Sequence, residues 1–159
     1  MEISIVKGAG AGLTKKSAFD DALKQAGVSD YNLIYLSSIV PPGSIIESEK
    51  KYFFSPSEYG NRLYVVMAEA YAQGENNCAT AGIGWSQEKD GRGVFVEHTG
   101  ISEPQVKDMI ECSLSEMCRR RADKQFISSN MALSSVQSSN NFSACAVVIA
   151  VIKCEGWYI

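Results

Sequence analysis

The stretch 32–42, with the sequence NLIYLSSIVPP, constrains this chain more than any other part of it. Its apolar, β-branched and aromatic side chains favour a β-strand. The strand must end at Val40, because Pro41 follows directly and has no N–H group for a sheet ladder. Before that end, Ser37 and Ser38 stand where a strand this apolar would be expected to carry hydrophobic side chains. We predict one strand that runs through both serines, with their hydroxyl groups on opposite faces; from the two serines alone, a strand end that turns into a loop is the alternative.

Length and composition are those of one globular domain. The chain has 159 residues, of which 45% are hydrophobic and 21% are charged. Its net charge of -3 at pH 7 argues against a nucleic-acid partner, which requires a basic face. It has no run of about 18 apolar residues that could span a membrane, and its first residues lack the apolar core of a signal peptide. We therefore expect a cytoplasmic protein with neither a membrane nor a nucleic-acid partner.

The cysteines and the histidine do not form a metal-binding pattern. Structural zinc sites use pairs of ligands at short, regular spacing. Here five cysteines are scattered without a C-x-x-C pair, and the chain has a single histidine. We expect buried, reduced thiols and no metal. The residues concerned are Cys78, Cys112, Cys118, Cys145, Cys154 and His98.

The glycine-rich segment 8–12 follows a short predicted strand at Ile3–Val6 and precedes a predicted helix. Such a position is typical of phosphate-binding loops, but the segment lacks both the Walker sequence and the spacing of a dinucleotide fingerprint. We therefore predict a flexible connection. The helix should have Thr14 as its N-cap and end at Gly27. Its apolar residues recur at helical spacing: Ala18, Phe19, Ala22, Leu23 and Ala26.

The rest of the chain is predicted to contain several strands and a second helix. The segment 102–105, Ser-Glu-Pro-Gln, has capping-box spacing and an early proline, and apolar residues follow it at helical spacing. The run 144–152 is nearly all apolar and predicts a central strand covered on both faces. The predicted strands are Leu63–Tyr71, Cys78–Trp85, Gly93–Thr99, Phe126–Val136 and Asn141–Lys153. Turn residues separate the first three of these strands, which we expect to form an antiparallel meander.

Two helices and six or seven mostly antiparallel strands predict an α+β fold with helices packed on sheet. The polar loop 43–61 contains apolar islands at Ile45-Ile46 and at 52–54, which we expect to pack against the rest of the chain. No internal repeat or low-complexity segment interrupts the pattern, so one domain is expected.

Three segments, in order along the chain, resemble the pyruvoyl-dependent arginine decarboxylases. The sequence LIYLSSIVPP, with Asn32 five residues before the first serine, resembles the self-cleavage segment of that family. The segment 17–27 resembles its first helix, and Val96-Glu97 followed by Gly100 resembles the segment that carries its catalytic acid. The resemblance implies an αββα sandwich of mostly antiparallel strands with two main helices, assembled as a homotrimer.

Self-cleavage in this family converts a serine into a covalent pyruvoyl group. For this chain the resemblance implies that the single domain 1–159 is cleaved between Ser37 and Ser38, into a β chain, 1–37, and an α chain, 38–159. The Ser38 hydroxyl would attack the Ser37 carbonyl, and β-elimination would leave a dehydroalanine that hydrolyses to pyruvoyl and ammonia. This group takes the part that pyridoxal phosphate has in other decarboxylases, so neither pyridoxal phosphate nor a metal is expected.

The resemblance gives roles to four further residues. Asn32 would donate a hydrogen bond to the oxyanion on the Ser37 carbonyl during cleavage. Glu97 would be the general acid that protonates the substrate Cα after carbon dioxide leaves. Asp20 would bind the substrate guanidinium, and Leu23 would line its alkyl chain. From the residues alone, Asn32 is equally consistent with a turn former, and Glu97 and Asp20 with surface acids.

The activity that the resemblance implies is decarboxylation of L-arginine to agmatine, in polyamine biosynthesis or acid resistance. After Glu97 the chain has His98-Thr99-Gly100, where relatives carry a second acid before the glycine. Lysine and ornithine therefore stay open as substrates. A further alternative is an uncleaved, non-enzymatic α+β trimer with a binding or regulatory function, in which the bond between Ser37 and Ser38 stays intact.

Overall fold

The computed structural model describes residues 1–48, 52–53 and 55–157. Two β-sheets pack face to face, and one helix covers the outer side of each sheet. This arrangement confirms the expected α+β class and the helix–sheet–sheet–helix layering. The elements are β1 (Glu2–Gly12), α1 (Lys15–Ala26), β2 (Asn32–Tyr35), β3 (Ile39–Val40), β4 (Ile45–Glu47), a 3₁₀ turn (Pro56–Glu58), β5 (Arg62–Ala72), β6 (Cys78–Glu88), β7 (Gly93–Gly100), α2 (Glu103–Arg120), β8 (Phe126–Gln137) and β9 (Ser143–Glu155).

The first sheet has the strand order β2-β5-β9-β1-β4, and the second has the order β3-β7-β6-β8. All pairs in the described residues are antiparallel except β1 with β4 and β2 with β5. The short strands β3 and β4 raise the number above the predicted six or seven. Strand β9 lies at the centre of the first sheet, and its residues Ser143–Val151 are all buried. Its prediction as a covered central strand is confirmed.

Helix α1 has the boundaries that its capping residues predict. The Thr14 hydroxyl accepts a hydrogen bond from the Ser17 N–H at 3.1 Å, which satisfies one free donor of the first turn. Gly27 ends the helix in the left-handed conformation, with φ of 81°. The apolar face packs on β1 and β9 through buried Ala18, Ala22, Leu23 and Ala26.

The prediction of a flexible connection at 8–12 is wrong, because these residues continue β1. A Cβ on Gly8 or Gly10 would come within 3.0 Å of the backbone of Ala22 on α1. The glycines therefore let the helix lie directly against the strand. Local sequence alone did not reveal this, because the contact joins two elements.

The predicted meander is also wrong, because β5 belongs to the first sheet while β6 and β7 form a hairpin in the second. Residues 73–77, which connect β5 to β6, do not form a hairpin turn; they are hydrogen-bonded to Ser138 in the loop between β8 and β9. The Ser138 N–H donates to the Asn77 carbonyl at 2.7 Å, and the Asn76 N–H donates to the Ser138 carbonyl at 3.2 Å. These bonds direct the chain from one sheet into the other.

Helix α2 closes the outer side of the second sheet. Ser102 caps it by accepting from the Gln105 N–H, as predicted. Its buried residues, Val106, Ile110 and Leu114, pack on the second sheet and confirm the predicted apolar face. Neither α1 nor α2 is long and apolar enough to cross a membrane, and these are the only α-helices in the described part of the chain.

The apolar islands of the loop 43–61 pack only in part. Ile46 packs against the apolar layer between the two sheets, and Tyr52 packs against the apolar core beneath α1. Ile45 and Phe53, by contrast, are 63% and 79% exposed. Phe54 lies outside the described residues.

We expect Gly10→Ala to destabilise the protein by at least about 2 kcal/mol, because the new methyl group overlaps the α1 backbone. Urea unfolding followed by circular dichroism measures the change. Ala9→Ser, at an exposed position of the same strand, is the control and should change the free energy of unfolding little. Equal stability of Gly10→Ala and the parent would contradict the close packing.

Candidate functional site

Ser37 and Ser38 lie in the link between the two sheets. Strand β2 ends at Tyr35 in the first sheet, and β3 begins at Ile39 in the second. The prediction of one strand through both serines is therefore wrong. The strand divides because Val40, only 1% exposed, enters the apolar layer between the sheets.

The Ser38 hydroxyl contacts the carboxylate of Glu97 on β7. Its Oγ donates to the carboxylate and lies 2.7 Å from both Oε1 and Oε2. The Ser38 carbonyl accepts a hydrogen bond from the Phe95 N–H at 2.8 Å, which extends the pairing of β3 with β7. Residues 59 positions apart in sequence thus meet at the edge of the sandwich.

Glu97 borders the apolar layer between the sheets. It is two residues from Phe95 on the same strand and is paired with Ile83 on β6, so all three side chains share a face. Phe95 and Ile83 are both fully buried, whereas Glu97 is half-buried. The carboxylate therefore lies between an apolar wall and the open edge of the sandwich.

The Ser37 carbonyl has a backbone donor that sequence reasoning missed. The Ile39 N–H donates to it at 2.8 Å and closes a tight turn around Ser38. An N–H in this place would stabilise negative charge on the Ser37 oxygen. Side-chain patterns carry no signal for such a donor, because every residue except proline has one.

Asn32 lies at the start of β2, away from the serines along the strand. Its side-chain amide donates to the Gly60 carbonyl at 2.6 Å, and its N–H donates to the Asn61 carbonyl at 2.8 Å. The Trp157 indole N–H donates to the same Gly60 oxygen at 2.8 Å. In this conformation Asn32 anchors the strand that leads to Ser37.

The structure does not bring Asp20 and Leu23 to the contact between Ser38 and Glu97. Asp20 is exposed on α1, and Leu23 is 7% exposed in the core beneath that helix. Helix α1 packs on β1 and β9, whereas the serines lie at the edge beyond β5. Within the described residues, the hydrogen bonds of Ser38 and Glu97 do not include either residue.

His98, next to Glu97, has its side chain on the opposite face of β7. Its Nε2 lies 2.7 Å from the Ser113 hydroxyl on α2, so the pair joins the helix to the sheet. No group of His, Cys, Asp and Glu side chains in the described part of the chain is arranged to hold a metal ion.

Comparisons with known proteins identify the family of this chain. Residues 2–155 match the model of the pyruvoyl-dependent arginine decarboxylase family. The chain belongs to this family. A pyruvoyl-dependent arginine decarboxylase of Halobacterium salinarum is 30% identical over 150 residues, which cover 93% of this chain and 91% of that relative.

Two further matches are more partial. Pyruvoyl-dependent arginine decarboxylase 2 of Archaeoglobus fulgidus is 33% identical over 101 residues, which cover 62% of this chain and 64% of that relative. A solved structure of pyruvoyl-dependent histidine decarboxylase at pH 8 is 16% identical, with a TM-score of 0.47. The match covers 65% of this chain and 54% of the other.

Position 38 fits the covalent pyruvoyl group that the name of the family implies. The carbonyl of residue 38 is held by the Phe95 N–H, a bond that does not depend on the peptide bond to Ser37. The Glu97 carboxylate lies 2.7 Å from Ser38 Oγ, and so beside the carbon atoms of residue 38 that would become the pyruvoyl group. The half-buried setting of Ser38 leaves room for access from the edge.

We expect Asn32→Ala to slow self-cleavage by less than about tenfold, because its amide bonds to Gly60 and anchors β2 rather than contacting the Ser37 carbonyl. Loss of a direct oxyanion donor typically costs about 100- to 1,000-fold in rate. The time course of cleavage, followed on denaturing gels after synthesis, separates these values. A slowing of 100-fold or more would show that Asn32 moves to the Ser37 carbonyl and acts there.

Proposed function

We propose that this chain is a self-processing enzyme that cleaves itself between Ser37 and Ser38 and then decarboxylates L-arginine to agmatine. The observation that carries the proposal is the contact of the Ser38 hydroxyl with both Glu97 oxygens, 2.7 Å each, in the link between the sheets. The substrate and the reaction are those of the related pyruvoyl-dependent arginine decarboxylases.

Cleavage begins when Ser38 Oγ attacks the Ser37 carbonyl carbon. The carbonyl oxygen becomes negative, and the Ile39 N–H already donates to it. The proton from Oγ passes to the Ser38 nitrogen as the bond from that nitrogen to the Ser37 carbonyl carbon breaks, which leaves an ester on Oγ and a free amine. β-Elimination releases the Ser37 carboxylate and leaves dehydroalanine at position 38, and hydrolysis of its imine form gives pyruvoyl and ammonia.

The fold keeps the two products together. The fragment 1–37 supplies β1, α1 and β2, and β1 lies between β9 and β4 in the first sheet. Its pairing with β9 extends from Ser4 to Gly12. The fragment 38–159 begins at β3, which pairs with β7 in the second sheet. Each new end therefore stays anchored in its own sheet.

In turnover the pyruvoyl group supplies the electron sink that accepts the electrons left when carbon dioxide departs. Glu97 then donates a proton to the substrate Cα. Its position beside Phe95 and Ile83 supports this role, because an apolar wall limits access of water to the acid. In the uncleaved chain its oxygens lie 2.7 Å from Ser38 Oγ, which is bonded to the Cβ that would become the pyruvoyl methyl group.

We propose that Asp20 recognises the guanidinium across an interface with a second copy of the chain. Helix α1 lies over β9 and β1, two to three strand positions from β2, which is about 10–15 Å at about 4.8 Å per strand. In a homotrimer, Asp20 and Leu23 of one copy would complete the site at Ser38 of the next. Leu36 and Ile39, which flank the serines, are 39% and 55% exposed and offer an apolar contact surface.

A cytoplasmic location is part of the same proposal. All five cysteines are free thiols, but the prediction that they are buried is wrong for all except Cys145: Cys78 and Cys112 are exposed, and Cys118 and Cys154 are partly exposed. Unpaired cysteines are typical of proteins that function in a reducing compartment.

The intact mass of the purified protein, combined with an agmatine assay, tests the proposed function. Two fragments, 1–37 and a ketone-bearing 38–159, are expected, together with agmatine and carbon dioxide from arginine. A single species of 159 residues would favour the uncleaved binding protein. Two fragments without agmatine, but with turnover of lysine or ornithine, would reassign the substrate.

We expect Asp20→Asn to raise the KM for arginine by roughly 30-fold, equivalent to about 2 kcal/mol, because the substrate loses a charge-assisted partner. Asp21→Asn is the matched control, since the Asp21 carboxylate accepts from the Ala11 N–H on the other flank of α1. Steady-state kinetics measures both variants. An unchanged KM for Asp20→Asn would show that Asp20 does not bind the guanidinium, and the identity of the substrate would again be open.

We expect Glu97→Gln to mature into two fragments but to produce agmatine roughly 100- to 10,000-fold more slowly. Glutamine keeps an oxygen that accepts from the Ser38 hydroxyl, and it has no transferable acid proton. Mass spectrometry and the agmatine assay measure the two steps separately, with Ser38→Ala as the uncleaved control. Near-normal turnover would remove Glu97 from the mechanism, and a failure to cleave would assign it to maturation.

A further inference from the structure

The outer face of the first sheet is only partly covered by α1. The helix packs on β1 and β9, and the outer face of β5 is buried at Leu63, Val65 and Met67, so that a valley opens only beyond them, at Glu69 and Tyr71. Tyr35, Glu69 and Tyr71 lie in this valley, and Phe19 on α1 borders it through a ring contact with Tyr71, with 6.5 Å between centroids. Tyr35 and Tyr71 are 56% and 36% exposed. The valley therefore combines exposed aromatic rings with one carboxylate.

The Glu69 carboxylate is half-buried without a basic partner. No ion pair joins it to a lysine or arginine among the described residues, and its hydrogen bond is the one that Oε2 accepts from the Tyr35 hydroxyl at 3.3 Å. Burial and the Glu69 charge together raise the pKa of Tyr35 to about 12 and that of the Cys145 thiol to about 12. The charge of the Glu69 carboxylate thus acts on Tyr35 and Cys145 without a cation among the described residues to offset it. A partly buried charge of this kind is a binding partner for a cation.

The Tyr71 ring already attracts a cation. Lys15 Nζ lies 5.9 Å from its centroid, within the range of a cation–π contact. Tyr71 is two residues from Glu69 on β5, so ring and carboxylate are on the same face of the sheet. A planar guanidinium can stack on a tyrosine ring while it donates to a carboxylate, which an ammonium group does less well.

We propose that Glu69, Tyr35 and Tyr71 form a binding site for a guanidinium-bearing amine, separate from Asp20 and from the Ser38–Glu97 contact. The guanidinium stacks on Tyr71 and donates to Glu69 Oε1, while Oε2 keeps the Tyr35 hydroxyl. The site stands on its own geometry; the choice of agmatine and arginine as its ligands rests on the proposed function. Product bound there would remain on the enzyme without blocking Ser38 of the same copy.

Isothermal titration calorimetry with agmatine tests the site on the Ser38→Ala, Asp20→Asn protein, which lacks both the pyruvoyl group and the proposed substrate carboxylate. We expect saturable binding of agmatine, at least tenfold weaker binding of butylamine, and at least a tenfold loss of agmatine affinity on Glu69→Gln. Tyr71→Phe should keep most of the affinity, and Tyr71→Leu should lose it. Lys15→Met should raise it, because a competing cation is removed.

Glu75→Gln is the matched control, because Glu75 is an exposed carboxylate in the loop beyond β5, and it should leave the affinity unchanged. The inference is overturned if agmatine does not bind, or if Glu69→Gln binds it as tightly as the parent. Equal affinity for butylamine and agmatine would overturn the guanidinium preference. Agmatine production by the wild-type enzyme without binding at Glu69 would refute this site alone, and binding at Glu69 combined with failure of the wild-type chain to cleave would refute the proposed function alone.

Discussion

The candidate site depends on the apolar layer that joins the two sheets. Phe95 and Ile83 of the second sheet face small residues of β5 such as Ala68 and Ala70, and this contrast in size lets the sheets approach closely. Val40 enters the same layer and fixes where the chain joins the second sheet. The position of the serine link follows from this packing, and so does its distance from the β7 carboxylate. Substitutions in the layer would therefore affect the site without touching it.

The elements with strong local signals could be predicted from the sequence. Thr14 and Gly27 define α1, Ser102 begins α2, and the apolar run of β9 marks a central strand, because each signal depends on residues a few positions apart. The division of strands between sheets was not predictable in this way. The crossing at 73–77 depends on hydrogen bonds to Ser138, more than 60 positions away, which no local pattern encodes. The role of the glycines in β1 was not predictable for the same reason, because their contact with α1 joins two elements.

The candidate site was predictable through its side chains but not through its backbone. The pair Ser38 and Glu97 was named from the resemblance to a family, and the structure brings the two into contact. The Ile39 N–H on the Ser37 carbonyl was invisible in the sequence, because a backbone donor acquires its role only from conformation. Glu69 was missed because it lies within an otherwise ordinary strand and becomes unusual only beside the two tyrosines.

The placement of β1 between β9 and β4 has a consequence for the lifetime of the protein. Before cleavage, the first sheet assembles from one continuous chain, so its folding does not depend on concentration. In the proposed mature form, with the link at Ser37 and Ser38 cut, an unfolded molecule would separate into two pieces, and reassembly would be a bimolecular reaction that must insert a strand between two others. Thermal unfolding of the mature form would then be irreversible in practice, and its durability would be set by the rate of unfolding rather than by an equilibrium free energy. Maturation would thus convert a reversibly folding precursor into a kinetically trapped product.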